Sequence, residues 1–534
     1  IKETLSLGDR ARDISRLYLP SDFLRVFEEM YCRGASAPHE FREAERFHRW
    51  LYSWHAGTRR WRHPIREARI REAEQGLRGY PSEKDMWVWD WKSAQAVSVM
   101  RPKDRSRFYP KKRHLQVAGA TLKAVFPVWR QYEDLLASAF QAAVPMKDRV
   151  GVAISPSPET LGRERELMRD LGTAPVFLRF HHHEREEQWK FTADAIRALH
   201  GDGHPVSIAL VQDRRAVTEP ARWKSFVSTV LGQVHDFVEY VEVGHAINRV
   251  KWGIWDFGEY RGLVEAAAEA AGRYPGVRLV GPAVIDFEYP DVVTALANLP
   301  PSVRFAALSH HLYVDRRGAP ESHQGMFAAL EKFALAKAVA RQSGICGDRV
   351  IVSEVNWPLK GTGVFSPVNS PYEARAPRHN DPSVSEDDYA DYLVRYLLIA
   401  ICSGLIDRVF WWRLAARGFG LVDDTDACRW RERPAYHMLR YFLATVGGAT
   451  FVEKPDARGC VRAEDQRRAD GVQLYLFQQA GGERVGVAYS SAGAMEIALP
   501  FEYATLRDAF GKRIRAGENQ RVPISGRPVY VFMR

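Results

Sequence analysis

The stretch Val350-Ile351-Val352-Ser353-Glu354-Val355-Asn356-Trp357-Pro358 decides how this chain is read. A short β-branched run favours a strand, and the aromatic and proline that follow bring it to a stop. One carboxylate, Glu354, is thereby delivered to the mouth of a sheet. A carboxylate held there can serve as a nucleophile. A plain surface Glu at a strand end would look the same in isolation, so the surrounding pattern has to separate the two.

From Arg149 onward, short apolar runs alternate with amphipathic stretches, which reads as βα units and a parallel sheet. Eight strands are predicted: Val150–Ser155, Ala174–Phe180, Val206–Val211, Val238–Gly244, Val277–Ile285, Val303–His310, Val350–Val355 and Arg408–Arg413. Helices are predicted between them, among them Pro158–Leu171, Gln188–Ala198, Leu263–Ala271, Met326–Arg341 and Ser385–Ser403. Eight such units over about 300 residues match an α/β TIM barrel. No dinucleotide glycine fingerprint or P-loop accompanies them, which argues against a Rossmann arrangement. After Gly447 the text turns to alternating strands (Gln473–Phe477, Arg484–Tyr489, Met495–Leu499, Pro528–Met533), predicting a C-terminal antiparallel β domain. The expected organisation is a mainly helical N-terminal region over 1–148, a barrel over 149–448 and a β domain over 449–534. Within the first region, Glu40–Gln75 reads as helix and Met86–Asp90 as part of a strand pair.

The chain of 534 residues is long enough for two or three domains. It holds no apolar run of about 18 residues, so no transmembrane helix is expected. It opens on Ile-Lys-Glu-Thr without Met or an apolar leader, and export is left open. The five cysteines (Cys32, Cys346, Cys402, Cys428, Cys460) follow no disulfide or zinc spacing and read as buried thiols. A reducing, cytoplasmic or membrane-peripheral setting fits them. Residues 1–148 hold 28 Lys/Arg against 19 Asp/Glu, a net of +9 out of the chain's +10. Arg101–Arg113 alone carries seven basic residues and one acid. This segment is either a solvated loop or a contact for an anionic surface such as acidic polysaccharide or lipid phosphate. No nucleic-acid module accompanies it, so nucleic acid is not an expected partner.

A TIM barrel does its chemistry at the C-terminal strand ends. There the sequence places Arg179 and His181-His182-His183 after strand 2, and Glu242, His245 and Asn248 at strand 4. Asp286 follows strand 5, His310, His311 and Tyr313 strand 6, Glu354 and Trp357 strand 7, and Trp411-Trp412 strand 8. Carboxylates, hydroxyl-binding groups and indoles therefore converge on one rim.

Over roughly residues 149–534 these motifs, in this order, resemble the clan A glycoside hydrolases. IVSEVNWP (351–358 with Val350 before it) is similar to that superfamily's nucleophile strand, LSHHLY (308–313) to its His-x-Tyr strand, and VFWWRL (409–414) with GFGLVDD (418–424) to its platform-Trp strand. Arg431-Glu-Arg-Pro-Ala-Tyr436, a helix and a terminal β domain fit as well. The resemblance implies a carbohydrate-active protein, a glycoside hydrolase or transglycosidase with Glu354 as nucleophile, acting on a bacterial-type polysaccharide or glycolipid. It implies catalytic roles for Glu354, His245 and Glu242. Substrate contacts would come from Arg179, Asn248, His311, Tyr313, Trp357, Trp411 and Trp412.

One departure stands out. Strand 4 of that clan ends in Asn-Glu, the Glu being the acid/base, whereas here His245 and Ala246 occupy those positions. A retaining enzyme uses two carboxyl groups roughly 5 Å apart. Four explanations stay open. Ala246 could be an introduced change. His245, Glu242, Asp256 or Glu259 could supply the proton. A phosphate leaving group, met by His245, Arg249 and Lys251, could need none. Or the protein could be a pseudoenzyme that binds glycan without turnover. No cofactor is expected, and no metal either. The triple His with Glu184 is dense in ligands, but successive strand residues point to opposite faces. For the same reason one of His310/His311 and one of Trp411/Trp412 should face inward, and Glu242 could be a structural partner of Arg179.

Overall fold

A computed structural model describes residues 6–17, 27, 30–31, 38–62, 87–90, 93–98, 111–368 and 382–534. The chain forms two compact units, one from residues 1–97 and 358–383, the other from 98–357 and 384–534.

In the larger unit the Val-rich runs form β1 (Val150–Ala153), β2 (Val176–His181), β3 (Val206–Val211), β4 (Val238–Val243), β5 (Arg278–Ile285), β6 (Ala307–His311), β7 (Val350–Val355) and β8 (Arg408–Trp411). They close into one barrel in sequential order, with β8 returning to β1. Every pair is parallel. Burial on both faces explains why these strands read as apolar runs rather than as alternating text. One main helix follows each strand: α1 (Leu161–Asp170), α2 (Glu186–Gly201), α3 (Pro220–Val234), α4 (Phe257–Ala271), α5 (Tyr289–Ala297), α6 (Ala329–Ser343), α7 (Glu386–Cys402) and α8 (Pro434–Val446). The architecture is a (β/α)₈ barrel, and predicted strand limits agree to within a few residues at every strand.

The C-terminal region forms the expected antiparallel sheet, with Val472–Gln478 and Arg484–Ser490 paired along their full length. Its edge comes from an unexpected place: Val144–Pro145, before the barrel, pairs with Thr450–Glu453. Helix Lys111–Ala137 likewise belongs to the barrel unit and packs on α5 and α6. Arg113, counted in the basic run, is buried there and donates to Asp291 at 2.6 Å. The remainder of that run, 101–110, lies outside the described residues, as does 63–75 of the predicted N-terminal helix.

The smaller unit contains helix His39–Arg62, strand Trp87–Asp90 with most of its partner Gln95–Ser98, and a hydrogen bond from the Gln95 amide to the Pro367 carbonyl at 3.1 Å. Among the described residues no helix is long and apolar enough to cross a membrane. Cys402 and Cys460 are buried thiols, but Cys428 is exposed, because it sits in the surface turn after Asp426 rather than on an apolar face.

Inside the barrel, Phe410 on β8 packs against Phe177 on β2 with ring centroids 4.9 Å apart. Gly151 on β1 makes room for it: a Cβ there would lie 2.6 Å from the Phe410 ring and 2.6 Å from the Pro175 carbonyl oxygen. The side chain could shift, but the carbonyl is part of the β1–β2 ladder and cannot. Gly151→Ala should therefore overpack the layer beneath the site and lower stability by about 1–3 kcal/mol, read from the urea midpoint. An unchanged midpoint would show that the ring layer is looser than described.

Candidate active site

β7 ends by pointing Glu354 into the barrel, where both carboxylate oxygens are taken. Arg179 on β2 donates to Oε2 and the Tyr313 hydroxyl, just past β6, donates to Oε1. Three separate strands thus converge on one carboxylate that is only 6 % exposed. Trp412, at the end of β8, lies over the Arg179 guanidinium with Cζ 3.4 Å from the ring centroid, a cation–π contact. Arg317 stacks in the same way on Tyr313 at 3.8 Å.

The electrostatics follow from these contacts. Burial alone would raise the Glu354 pKa. The charges of Arg179 and His311, with the hydrogen bonds from Tyr313 and Arg179, outweigh burial and hold it below the ordinary carboxylate value. Tyr313 goes the other way: burial and the neighbouring Glu354 charge push its hydroxyl well up, so it stays a donor.

A second group lies on β4 and β6. Glu242 is fully buried and meets the His311 Nε2 at 3.5 Å. The His311 and His245 rings are 4.5 Å apart, and His245 also packs edge-on against Trp252 at 4.1 Å. Gly244 and Ala246, at φ +91° and +43°, turn the chain sharply around His245. Gln212, following β3, clamps that turn: it accepts from the His245 N–H at 2.8 Å and donates to the His245 and Trp252 carbonyls at 2.9 and 3.0 Å. Burial, then the charges of Arg179 and His311, lowers the His245 pKa well below that of a free imidazole.

Several expectations need correcting. Arg179 pairs with Glu354, not with Glu242, although the β2–β3–β4 register sets it level with Glu242. Trp357 and Trp411 are fully buried and stack on each other at 5.6 Å, and each indole is bonded inside the core. Neither offers a ring to a sugar; of the Trp411/Trp412 pair it is Trp412 that reaches the site. Asn248 spends its amide on the Ile285 backbone and Glu288, stapling the loop after β4 to the end of β5. His311 faces inward, as one of the His pair had to, while His310 points outward to the Asp286 carbonyl at 2.8 Å, its pKa lowered to about 4 by burial.

The candidate proton donors are occupied too. Asp256 caps α4 through the Gly258 and Glu259 N–H groups, and Glu259 pairs with Arg214 at 2.9 Å. Arg249 pairs with Asp286 at 2.8 Å and with Glu288. Of the three consecutive histidines, His182 meets Asp213 at 2.9 Å, while His181 meets Glu184 at 3.5 Å and its ring lies 5.3 Å from that of His183. The sequence reading passed over Gln212 and Arg317. Gln212 had a visible signal, being the first polar residue after the apolar run of strand 3; Arg317 had none.

The Glu354 pair makes a testable statement about pH. A carboxyl with a depressed folded-state pKa contributes stability above its unfolded value, and that contribution fades as pH falls through the folded one. Arg179→Met strands a buried charge and should cost about 3–5 kcal/mol at pH 7. The penalty should shrink near pH 4, where Glu354 in the variant takes up a proton. Denaturant unfolding at both pH values reads the difference, and an equal penalty at both would contradict the assigned pairing.

No family model matches the chain, and no curated protein matches it. Several solved structures are similar to it at low identity. A family 51 arabinofuranosidase from Xanthomonas axonopodis pv. citri is 13 % identical with a TM-score of 0.44, covering 74 % of this chain and 97 % of its own. A family 51 α-L-arabinofuranosidase from Bifidobacterium longum gives 11 % and 0.46, with coverage of 74 % and 96 %. A family 1 β-glucosidase from Thermotoga maritima gives 11 % and 0.38, covering 54 % and 86 %. The assignment of the fold rests on the closed strand order of this chain itself.

Proposed function

We propose that this is a carbohydrate-active protein related to retaining glycoside hydrolases, with Glu354 as the nucleophile and a bacterial-type polysaccharide or glycolipid as substrate. The observation that supports this reading best is the state of Glu354: an ionised carboxylate at the C-terminal end of a barrel strand, gripped at both oxygens by Arg179 and Tyr313. A carboxylate so held can attack an anomeric carbon through one oxygen. The Glu354–sugar ester forms as the bond to the leaving oxygen breaks, and water then cleaves the ester.

The leaving group receives no proton from the usual place, since Ala246 is fully buried and carries no acid. His245 is held as neutral imidazole and is a poor proton source. Arg249 is already committed to two carboxylates, which weighs against a phosphate leaving group neutralised there. Donors with an intrinsically good leaving group are therefore the ones expected to react. A second reading, non-catalytic glycan binding, draws on the same buried Ala246.

A panel of 2-deoxy-2-fluoro glycosyl fluorides, followed by mass spectrometry of the intact chain and its peptides, separates the two. Covalent labelling at Glu354, absent in Glu354→Gln, supports the enzyme. Glycan binding by both forms with no labelling and no turnover supports the binder. General acid help is worth about 10²–10⁴-fold. Activated aryl glycosides should thus be turned over faster than alkyl glycosides by a margin of that order. Equal rates on the two would mean that a proton donor is present after all.

A further inference from the structure

We propose that Glu242, His245 and His311 form a binding site for a divalent transition-metal cation of the zinc class. One donor atom from each residue lies within 4.8 Å of the other two, and all three residues are buried, at 0 %, 2 % and 0 % exposure. No other such set occurs among the described residues. It is also poorly satisfied by the protein alone. Glu242 Oε2, His245 Nδ1 and His311 Nδ1 are buried without a hydrogen-bond partner, and the one hydrogen bond within the set is the long 3.5 Å approach of His311 to Glu242.

The contrast with Glu354 is informative. That carboxylate, in the same barrel, has a guanidinium on one oxygen and a hydroxyl on the other. Glu242 has one distant imidazole as its hydrogen-bond partner and a buried Oε2 with none, an arrangement that buried polar groups avoid unless something compensates them. A dication bound by two imidazoles and one carboxylate would supply the partner that the set lacks. Imidazole ligands select zinc, cobalt, nickel or iron over magnesium and calcium, which prefer oxygen.

The geometry supports this. Ligand atoms of a tetrahedral site with bonds of 2.0–2.1 Å lie about 3.4 Å apart. The donors here lie within 4.8 Å of one another, so binding draws them in by at most about 1.4 Å. The supporting contacts are of the kind that orient a ligand. Gln212 fixes the backbone of His245 at both N–H and carbonyl, Trp252 packs on its ring, and β6 holds His311 in the ladder. Three protein ligands also leave a fourth position for water or a substrate oxygen, the pattern of an open zinc site.

The inference does not depend on the role of Glu354. The full chain, stripped with a chelator, is titrated calorimetrically with Zn²⁺ and followed by visible absorption with Co²⁺. One equivalent should bind with sub-micromolar affinity, and excess Mg²⁺ should not displace it. Glu242→Gln and His311→Gln, near-isosteric changes chosen to keep the fold, should each weaken binding by roughly 100-fold or more, beyond the loss typical of an outer-shell change. Circular dichroism checks that both are folded. His437→Ala, at a surface histidine, should bind as the parent does. Absence of stoichiometric uptake by the parent chain, or full affinity in both Gln variants, overturns the assignment and leaves Glu242–His311 as a hydrogen-bonded pair only.

Discussion

A ring of eight parallel strands closes only if the last finds the first, and here Val409, Phe410 and Trp411 of β8 pair with Val150, Gly151 and Val152 of β1. Closure leaves no open edge, so each strand is covered by helices outside and by side chains within. It also fixes what can fill the interior. Phe410 crosses the space that Gly151 vacates and meets Phe177, making an apolar floor. Directly above that floor, the next inward residues of β2, β7 and β8 are Arg179, Glu354 and Trp412. The site is therefore a consequence of register: the polar layer is one step along the strands from an aromatic one.

Burying charge in such a layer is costly unless each group is matched. Arg179 is matched by the Glu354 carboxylate and by the Trp412 ring, though its Nε is buried without a hydrogen-bond partner. Tyr313 completes the set, and Arg317 holds the phenol from its far face. This makes a preorganised anion rather than a mobile one, since its partners sit on elements with their own hydrogen-bond ladders. The neighbouring Glu242–His245–His311 group is organised as firmly in its backbone, through Gln212, yet is incompletely matched in its side chains. Two adjacent clusters of similar burial thus differ in what they lack, and the difference is chemical rather than a matter of packing.

The C-terminal sheet and the helix Lys111–Ala137 extend the barrel in ways that a linear domain map misses. Val144–Pro145 supplies a sheet edge to a domain whose other strands lie some 300 residues later, and Arg113 is spent on Asp291. Ion pairing of this kind removes a basic residue from the surface charge that composition alone assigns to it.

The sequence by itself determined the barrel. Apolar runs of strand length, separated by helix-length amphipathic stretches, have one economical closed arrangement, and their limits can be read because burial on both faces leaves no polar interruption. It also determined which residues stand at the strand ends, including Glu354, Tyr313 and His311, because the end of an apolar run marks the rim. Tertiary structure alone decided who partners whom. Alternation says that one of His310 and His311, and one of Trp411 and Trp412, faces in, but the parity is set by register with neighbouring strands. Arg179 stands level with Glu242 along the β2–β3–β4 ladder, and only the folded barrel, which brings β7 within its reach, assigns it to Glu354. Trp357 and Asn248 looked like ligand-facing residues because rim position is visible in sequence. Their burial was not, because it depends on side chains that arrive from strands and helices dozens of residues away.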